Sequence, residues 1–287
     1  MCALVITAPA DALPLALCLP SLYSILVDRF EKLSSAVVVG LAPALLMIIP
    51  EYLQSGILFV CLIACGIVLN RCIHRGLIGL SVFLPSCLIF GLFLIGIFYG
   101  AAENGVAPQD MIAQWVKGVM DQVSSLYTKT LSQESLNEFN LNRSAVQERI
   151  VQLFWGITAS SILSVMWVNL LIAKGPHRHI QLRTWKCPDW IVGIFIIAGL
   201  LIVVRHGLAN TIGLNLLIVV GQIYFYQGLA VIAAVMFDYE WSKFIRWVIY
   251  ILILTQIYIM IGVAALGLFD TWFNFRNMIR NTKGEDT

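Results

Sequence analysis

Charge is the first thing missing. Only 12% of the residues are Asp, Glu, Lys or Arg, about half of the roughly 25% that a soluble domain carries. With 60% hydrophobic residues and a mean hydropathy of +0.87, a soluble core cannot hide this much apolar surface behind so few charges. A dominant sign of charge is missing as well: the net charge is +2, so no nucleic-acid partner is expected. The seven cysteines, at 2, 18, 61, 65, 72, 87 and 187, form no CxxC pair. Cys61 and Cys65 stand one helical turn apart and read as small buried hydrophobes. His177 and His179 flank Arg178 in a basic turn and lack further ligands, so no metal site is expected. HExxH, the P-loop, GxSxG and paired intramembrane aspartates are all absent. Nothing supplies a nucleophile, a metal or an acid–base pair, so neither catalytic residues nor a cofactor is expected and the chain reads as a non-enzyme.

What is present is hydrocarbon-compatible length. A helix needs roughly 20 apolar residues to cross a bilayer. Segments 3–27, 34–50, 54–70, 76–100, 150–173, 190–205, 208–237 and 246–269 qualify. The expected fold is all-α: a polytopic transmembrane helical bundle of about eight spans with an amphipathic outer segment, its first partner the lipid bilayer. It reads as one integral membrane domain over 1–287, with four spans in 1–100, an extracytoplasmic segment at 101–149, four spans in 150–276 and a polar tail at 277–287. The first segment holds Pro9, Pro14, Pro20 and Asp11, so it is bent or partly interfacial. Asp11 is either a functional intramembrane acid or part of that bend. No basic stretch precedes it, so a cleaved signal peptide is not expected. The seventh segment is longer than one straight crossing and must tilt, extend beyond the bilayer or break.

Orientation follows the lysines and arginines near span ends. With the N-terminus outside, ten lie on the inner side: Arg29, Lys32, Arg71, Arg75, Lys174, Arg178, Arg183, Lys186, Lys243 and Arg246. Arg205 and the tail residues Arg276, Arg280 and Lys283 fall outside, as does the long segment 101–149, whose net charge is −2. In that segment Met111, Ile112, Trp115, Val116, Val119, Val123, Leu126 and Tyr127 recur at helical steps. Gln114, Lys117, Asp121 and Ser124 take the other face, and Pro108 suits the first turn. This predicts an amphipathic helix on the outer membrane surface or roofing the bundle. From Ser132 to Gln147 a polar connector is expected. Asn142-Arg143-Ser144 also fits a glycosylation sequon, a pattern that arises often by chance.

Polar groups inside spans are the candidates for function, since lipid tolerates them only when they face protein or water. Asn215, Gln222 and Tyr226 fall on one stripe of the seventh span, and Gln227 points about 100° away from Tyr226. These four are the candidate solute-binding residues; Gln256 and Asn169 lie in other spans. Such groups either glue helices together, at about 0.6 to 2 kcal/mol each, or line a cavity. Ala8, Ala12 and Ala16 form a small-residue stripe on which a partner helix could dock, as do Ala36, Gly40 and Ala44. Near the chain end, Trp272, Phe273 and Phe275 suit the membrane–water interface, with Arg276 and Arg280 reaching headgroups.

Three motifs carry a family resemblance. Trp185-Lys186-Cys187-Pro188 precedes the sixth span. Asn215 is followed by Tyr224-Phe225-Tyr226-Gln227-Gly228-Leu229-Ala230-Val231. Leu266-Gly267-Leu268-Phe269-Asp270-Thr271-Trp272-Phe273-Asn274-Phe275-Arg276 closes the series. In this order they resemble the YybS-like family of predicted bacterial membrane proteins, a domain of unknown function. The family usually has Asp where this chain has Asn274. The resemblance marks Trp185, Pro188, Gly228, Gly267, Asp270, Phe275 and Arg276 as motif residues, and implies the cytoplasmic (inner) membrane of a bacterium. It also implies distant similarity to the substrate-binding components of energy-coupling-factor transporters, which hold a solute in a helical bundle and dock a coupling protein. Ala8, Ala12 and Ala16 would be the docking stripe, with Pro9 and Pro14 interrupting it. The expected function is therefore transporter-type binding of a small solute. The alternative is a membrane scaffold or assembly factor with no transported substrate. Asp270 and Arg276 are six residues apart, about 240° on a continuous helix, so direct pairing requires a helix end between them.

Overall fold

The computed structural model describes residues 13–30, 53–130, 133–174, 181–204 and 207–276. Among these, helices follow one another: α1 (Leu13–Phe30), α2 (Leu53–His74), α3 (Ile78–Glu103), α4 (Pro108–Thr130), α5 (Gln133–Ala173), a 3-10 turn (Leu182–Thr184), α6 (Ile191–Val203), α7 (Leu208–Asp238), α8 (Lys243–Thr255) and α9 (Ile257–Phe273). The chain divides into two compact units, Met1–Arg71 with Val82–Ala173, and Cys72–Ser81 with Lys174–Thr287.

The expectation of about eight crossings is not confirmed. Among the described residues, four helices are long and apolar enough to cross: Gly56–His74, Ile78–Glu103, Leu141–Ala173 and Leu208–Asp238. The segment 34–50 lies outside the described residues. The expected sixth span is a helix of 13 residues, about 20 Å long and short of a hydrocarbon core of roughly 30 Å. The expected eighth is broken: α8 and α9 meet at 105°, and count as a fifth crossing only if taken together. Gln256 adopts φ −115°, ψ 109° between them. No proline or glycine announces the break. The Thr255 hydroxyl donates to the Ile251 carbonyl at 2.9 Å, the local competition with the helical ladder that bends helices. The seventh segment does not break; α7 runs for 31 residues, roughly 46 Å.

In the first unit the polar connector expected at 132–147 is, from Gln133 on, the start of α5, a helix of 41 residues. Neither proline nor glycine occurs from Gln133 to Trp155, and polarity alone does not stop a helix. The amphipathic α4 forms where expected, but it packs along α5. Its Ile112, Val116 and Met120 are buried with Ile97 and Phe154. The Trp115 ring meets Phe154 edge-on at 6.1 Å, while Asp121 pairs with Arg143 further along. Phe154 and Arg143 follow Trp115 and Asp121 in reverse order, so the two helices form an antiparallel hairpin.

Pro20 disturbs α1, since it lacks an N–H and crowds the preceding turn. Asn169 of α5, 1% exposed, repairs this turn. Its Nδ2 donates to the Leu17 carbonyl at 2.8 Å, and its Oδ1 accepts from the Ser21 N–H at 3.0 Å. Those two groups would bond each other in a regular helix. One of the intramembrane amides is thus helix glue. Asn169→Leu is expected to cost about 1–3 kcal/mol, the penalty for stranding buried polar groups. The readout is the melting temperature in detergent; an unchanged value would remove this role from Asn169.

In the second unit α7 is the centre. Its buried face runs through Gly213, Val220, Tyr224, Gln227, Val231 and Ala234, and between 224 and 228 every residue is buried. α6 packs on its first half, where a Cβ at Gly213 would lie 2.9 Å from the Ala198 carbonyl. α9 packs on its second half.

Candidate functional site

The three motifs meet in the second unit, and a glycine crossing brings them together. A Cβ on Gly228 of α7 would overlap the Val263 carbonyl of α9, and one on Gly267 of α9 would overlap the Tyr224 carbonyl. The two backbones therefore touch, which only residues without a Cβ permit. This approach carries Gln227 of α7 and Asp270 of α9 to within 3.2 Å, Gln227 Nε2 donating to Asp270 Oδ2.

Next to this crossing the chain is not helical. Trp185 is extended, at φ −66°, ψ 131°. Pro188 disfavours helical geometry at Cys187 and offers no N–H of its own. The backbone groups of such a segment need partners from elsewhere when buried, and side chains from the other two motifs supply them. The Cys187 N–H donates to Gln227 Oε1 at 3.0 Å. Arg276 Nη1 donates to the carbonyls of Arg183 and Trp185 at 3.1 and 2.8 Å. Arg276 Nη2 donates to Asp270 Oδ2 at 2.9 Å, closing a ring from loop to α7 to α9 and back. The Arg183 guanidinium lies 3.4 Å above the Phe237 ring centre and pins the start of the loop by cation–π attraction.

Asp270 reaches Arg276 because α9 ends between them. Asn274 sits in the left-handed region, at φ 47°, ψ 55°, and its N–H caps the Asp270 carbonyl at 3.1 Å. Asn tolerates that conformation better than most side chains do. The turn sends Phe275 and Arg276 back along the helix, with Phe275 stacked on Phe273 at 5.7 Å. Burial is deep: Gln227 is fully buried, and the side chains of Asp270 and Arg276 are 1% and 12% exposed. Burial, with the Asp189 carboxylate nearby, pushes the Cys187 thiol up to about 12. A thiol held protonated is a poor nucleophile and a poor metal ligand. Among the described residues no cluster of three His, Cys, Asp or Glu could hold a metal ion.

The ring uses only part of its members' bonding capacity. Asp270 Oδ1 and Arg276 Nε are buried without a hydrogen-bond partner, and the buried hydroxyls of Tyr224 and Thr271 have only each other within reach. These positions are three residues before Gln227 and one after Asp270, and the sequence reading passed over both. A side chain one helical turn from a buried amide was the available signal for Tyr224.

The expected stripe is only partly interior. Tyr226 is 5% exposed, whereas Asn215 and Gln222 are half-buried, and Asn215 Nδ2 bonds the Thr211 carbonyl of its own helix at 2.7 Å. Gln227, set off the stripe, is the buried amide. The buried face of α7 is fixed by where its glycines admit α6 and α9, and the amides do not govern it. Of the motif residues, Trp185 is half-buried and Pro188 exposed. The docking stripe Ala8, Ala12 and Ala16 lies outside the residues whose side chains are described.

A family model described as "Predicted membrane protein (DUF2232)" matches residues 1–271. No curated protein and no solved structure matches the chain.

Proposed function

Because the chain belongs to the YybS-like family of predicted membrane proteins, whose function is unknown, we propose that it works as a transporter-type protein holding a small solute among its helices. The buried polar atoms of Asp270, Arg276, Tyr224 and Thr271 that the ring leaves unused carry this reading. A buried polar atom without a partner costs about 1–3 kcal/mol, so Asp270 Oδ1 and Arg276 Nε call for something that bonds them. The carboxylate and guanidinium cancel in charge. The atoms left over comprise an acceptor, a donor and two hydroxyls that do both. Their complement is a neutral molecule that donates and accepts hydrogen bonds. Non-helical backbone beside a buried polar site is also how many transporters build solute sites. On this reading the protein has no catalytic step and sits in the cytoplasmic membrane of a bacterium. A coupling protein would dock on the stripe of Ala8, Ala12 and Ala16.

The double variant Tyr224→Phe, Thr271→Val removes two hydroxyls that the ring does not use and leaves the ring of bonds untouched. Native mass spectrometry of gently extracted wild type should reveal a retained small polar molecule, and the folded double variant should lack it. A wild type that carries nothing would put the scaffold reading first. That reading has its own support, since Gln227, Asp270 and Arg276 tie the loop at Arg183–Cys187 to α7 and α9.

A further inference from the structure

A second site lies in the first unit, far in sequence from the ring and independent of it. At the end of α3, where α4 begins its run along α5, a cavity of about 280 Å³ is lined by Ile97, Met111, Ile112, Gln114 and Trp115. We infer that it takes the acyl chain of a bilayer phospholipid. At roughly 30 Å³ per water molecule the space would need about nine waters. Among the described lining side chains only Gln114 and the Trp115 indole N–H hydrogen-bond well, too few for a cluster of that size, so water is a poor occupant; apolar cavities stay dry unless an apolar guest enters. Among the described residues no lining side chain is charged, which disfavours an ionic solute as the guest. The route of entry is the span itself. Beside Ile97, the α3 residues Ile95, Phe98 and Tyr99 are 66%, 57% and 70% exposed, and α3 is among the helices suited to crossing the bilayer. Exposed apolar surface on a membrane span meets acyl chains, and Phe98, next to Ile97 along α3, is the exposed residue nearest the cavity wall in the helical order. Gln114 is exposed and marks the mouth, where an ester carbonyl can accept from its amide. Chain in the cavity and ester at its edge is the arrangement of a lipid seated at the end of a span.

The test uses Trp115, which lines the cavity. Wild type and Trp115→Phe are reconstituted in vesicles of phosphatidylcholine with or without bromines on the acyl chains, and the difference between the two proteins isolates Trp115 emission. Loss of most of that emission in brominated vesicles is expected. Met111→Asp places a carboxylate in the cavity, where an acyl chain cannot solvate it, and should restore the emission while leaving the other tryptophans quenched as before. Trp115 emission that is the same in both kinds of vesicle overturns the inference, whether or not Met111→Asp folds. Quenching that persists in a folded Met111→Asp variant also overturns it, by placing the contact on the outer surface.

Discussion

Gly228→Ala is expected to remove most of the folded protein from detergent extracts, and Gly267→Ala to do the same. An added Cβ at either site runs into main-chain atoms of the facing helix. A side chain can rotate aside, but a helix backbone cannot, so the two helices must part. Overpacking by a methylene commonly costs about 1–3 kcal/mol, occasionally more. Here the parting also stretches the bond between Gln227 and Asp270, already 3.2 Å long, and unseats the loop that the ring secures. Against a total stability of about 5–15 kcal/mol, the loss should approach the margin. Gly221→Ala on α7 and Gly262→Ala on α9 are matched controls, because a Cβ there meets nothing within 4 Å. They should be neutral or slightly stabilising, by up to about 1 kcal/mol from helix propensity. Yield and melting temperature by size-exclusion chromatography decide the matter. Equal behaviour of all four variants would mean that the crossing is looser than described.

Asp270→Asn should lower folded protein nearly as far. It leaves the Arg276 guanidinium buried without its counter-charge, and breaking a buried pair from one side costs about 3–5 kcal/mol. Arg276→Gln strands Asp270 in the same way and also frees the Arg183 and Trp185 carbonyls. The double variant carries no unpaired charge and should lose less than the sum of the single losses, the mark of directly coupled groups. Normal abundance of Asp270→Asn together with loss of a retained solute would assign Asp270 to binding and take it out of the framework.

Much of the fold was readable from local chemistry. Composition placed the chain in lipid, and the repeat of Met111, Ile112, Trp115 and Val116 located α4. What escaped were events governed by facing helices or by a single residue. The break at Gln256 carries no proline or glycine, and the run from Gln133 to Ala173 hides one helix behind a polar stretch. The site was legible as three separate motifs, but not as one ring. Gly228 and Gly267 were visible as motif residues, yet nothing in the sequence said that they face each other. The spacing of Asp270 and Arg276 did require an intervening helix end, and Asn274 supplies it. The amide stripe misled because spacing tells which residues share a face, and only the partner helix tells which face is buried.

The ring also sets an order of events during synthesis. Its final member, Arg276, follows Trp185 by 91 residues. At about 5–20 residues per second, a ribosome needs roughly 5–18 s to cover that distance. Through that interval the carbonyls of Arg183 and Trp185 have been made and their guanidinium has not. Water or the insertion machinery must shelter them until then, and the nascent α6–α7 hairpin can shift against its surroundings. A ribosome that stalls or terminates between Asp270 and Arg276 would release a chain with nearly all of its apolar length inserted and its loop unlatched. Such a chain is a natural target for membrane proteases.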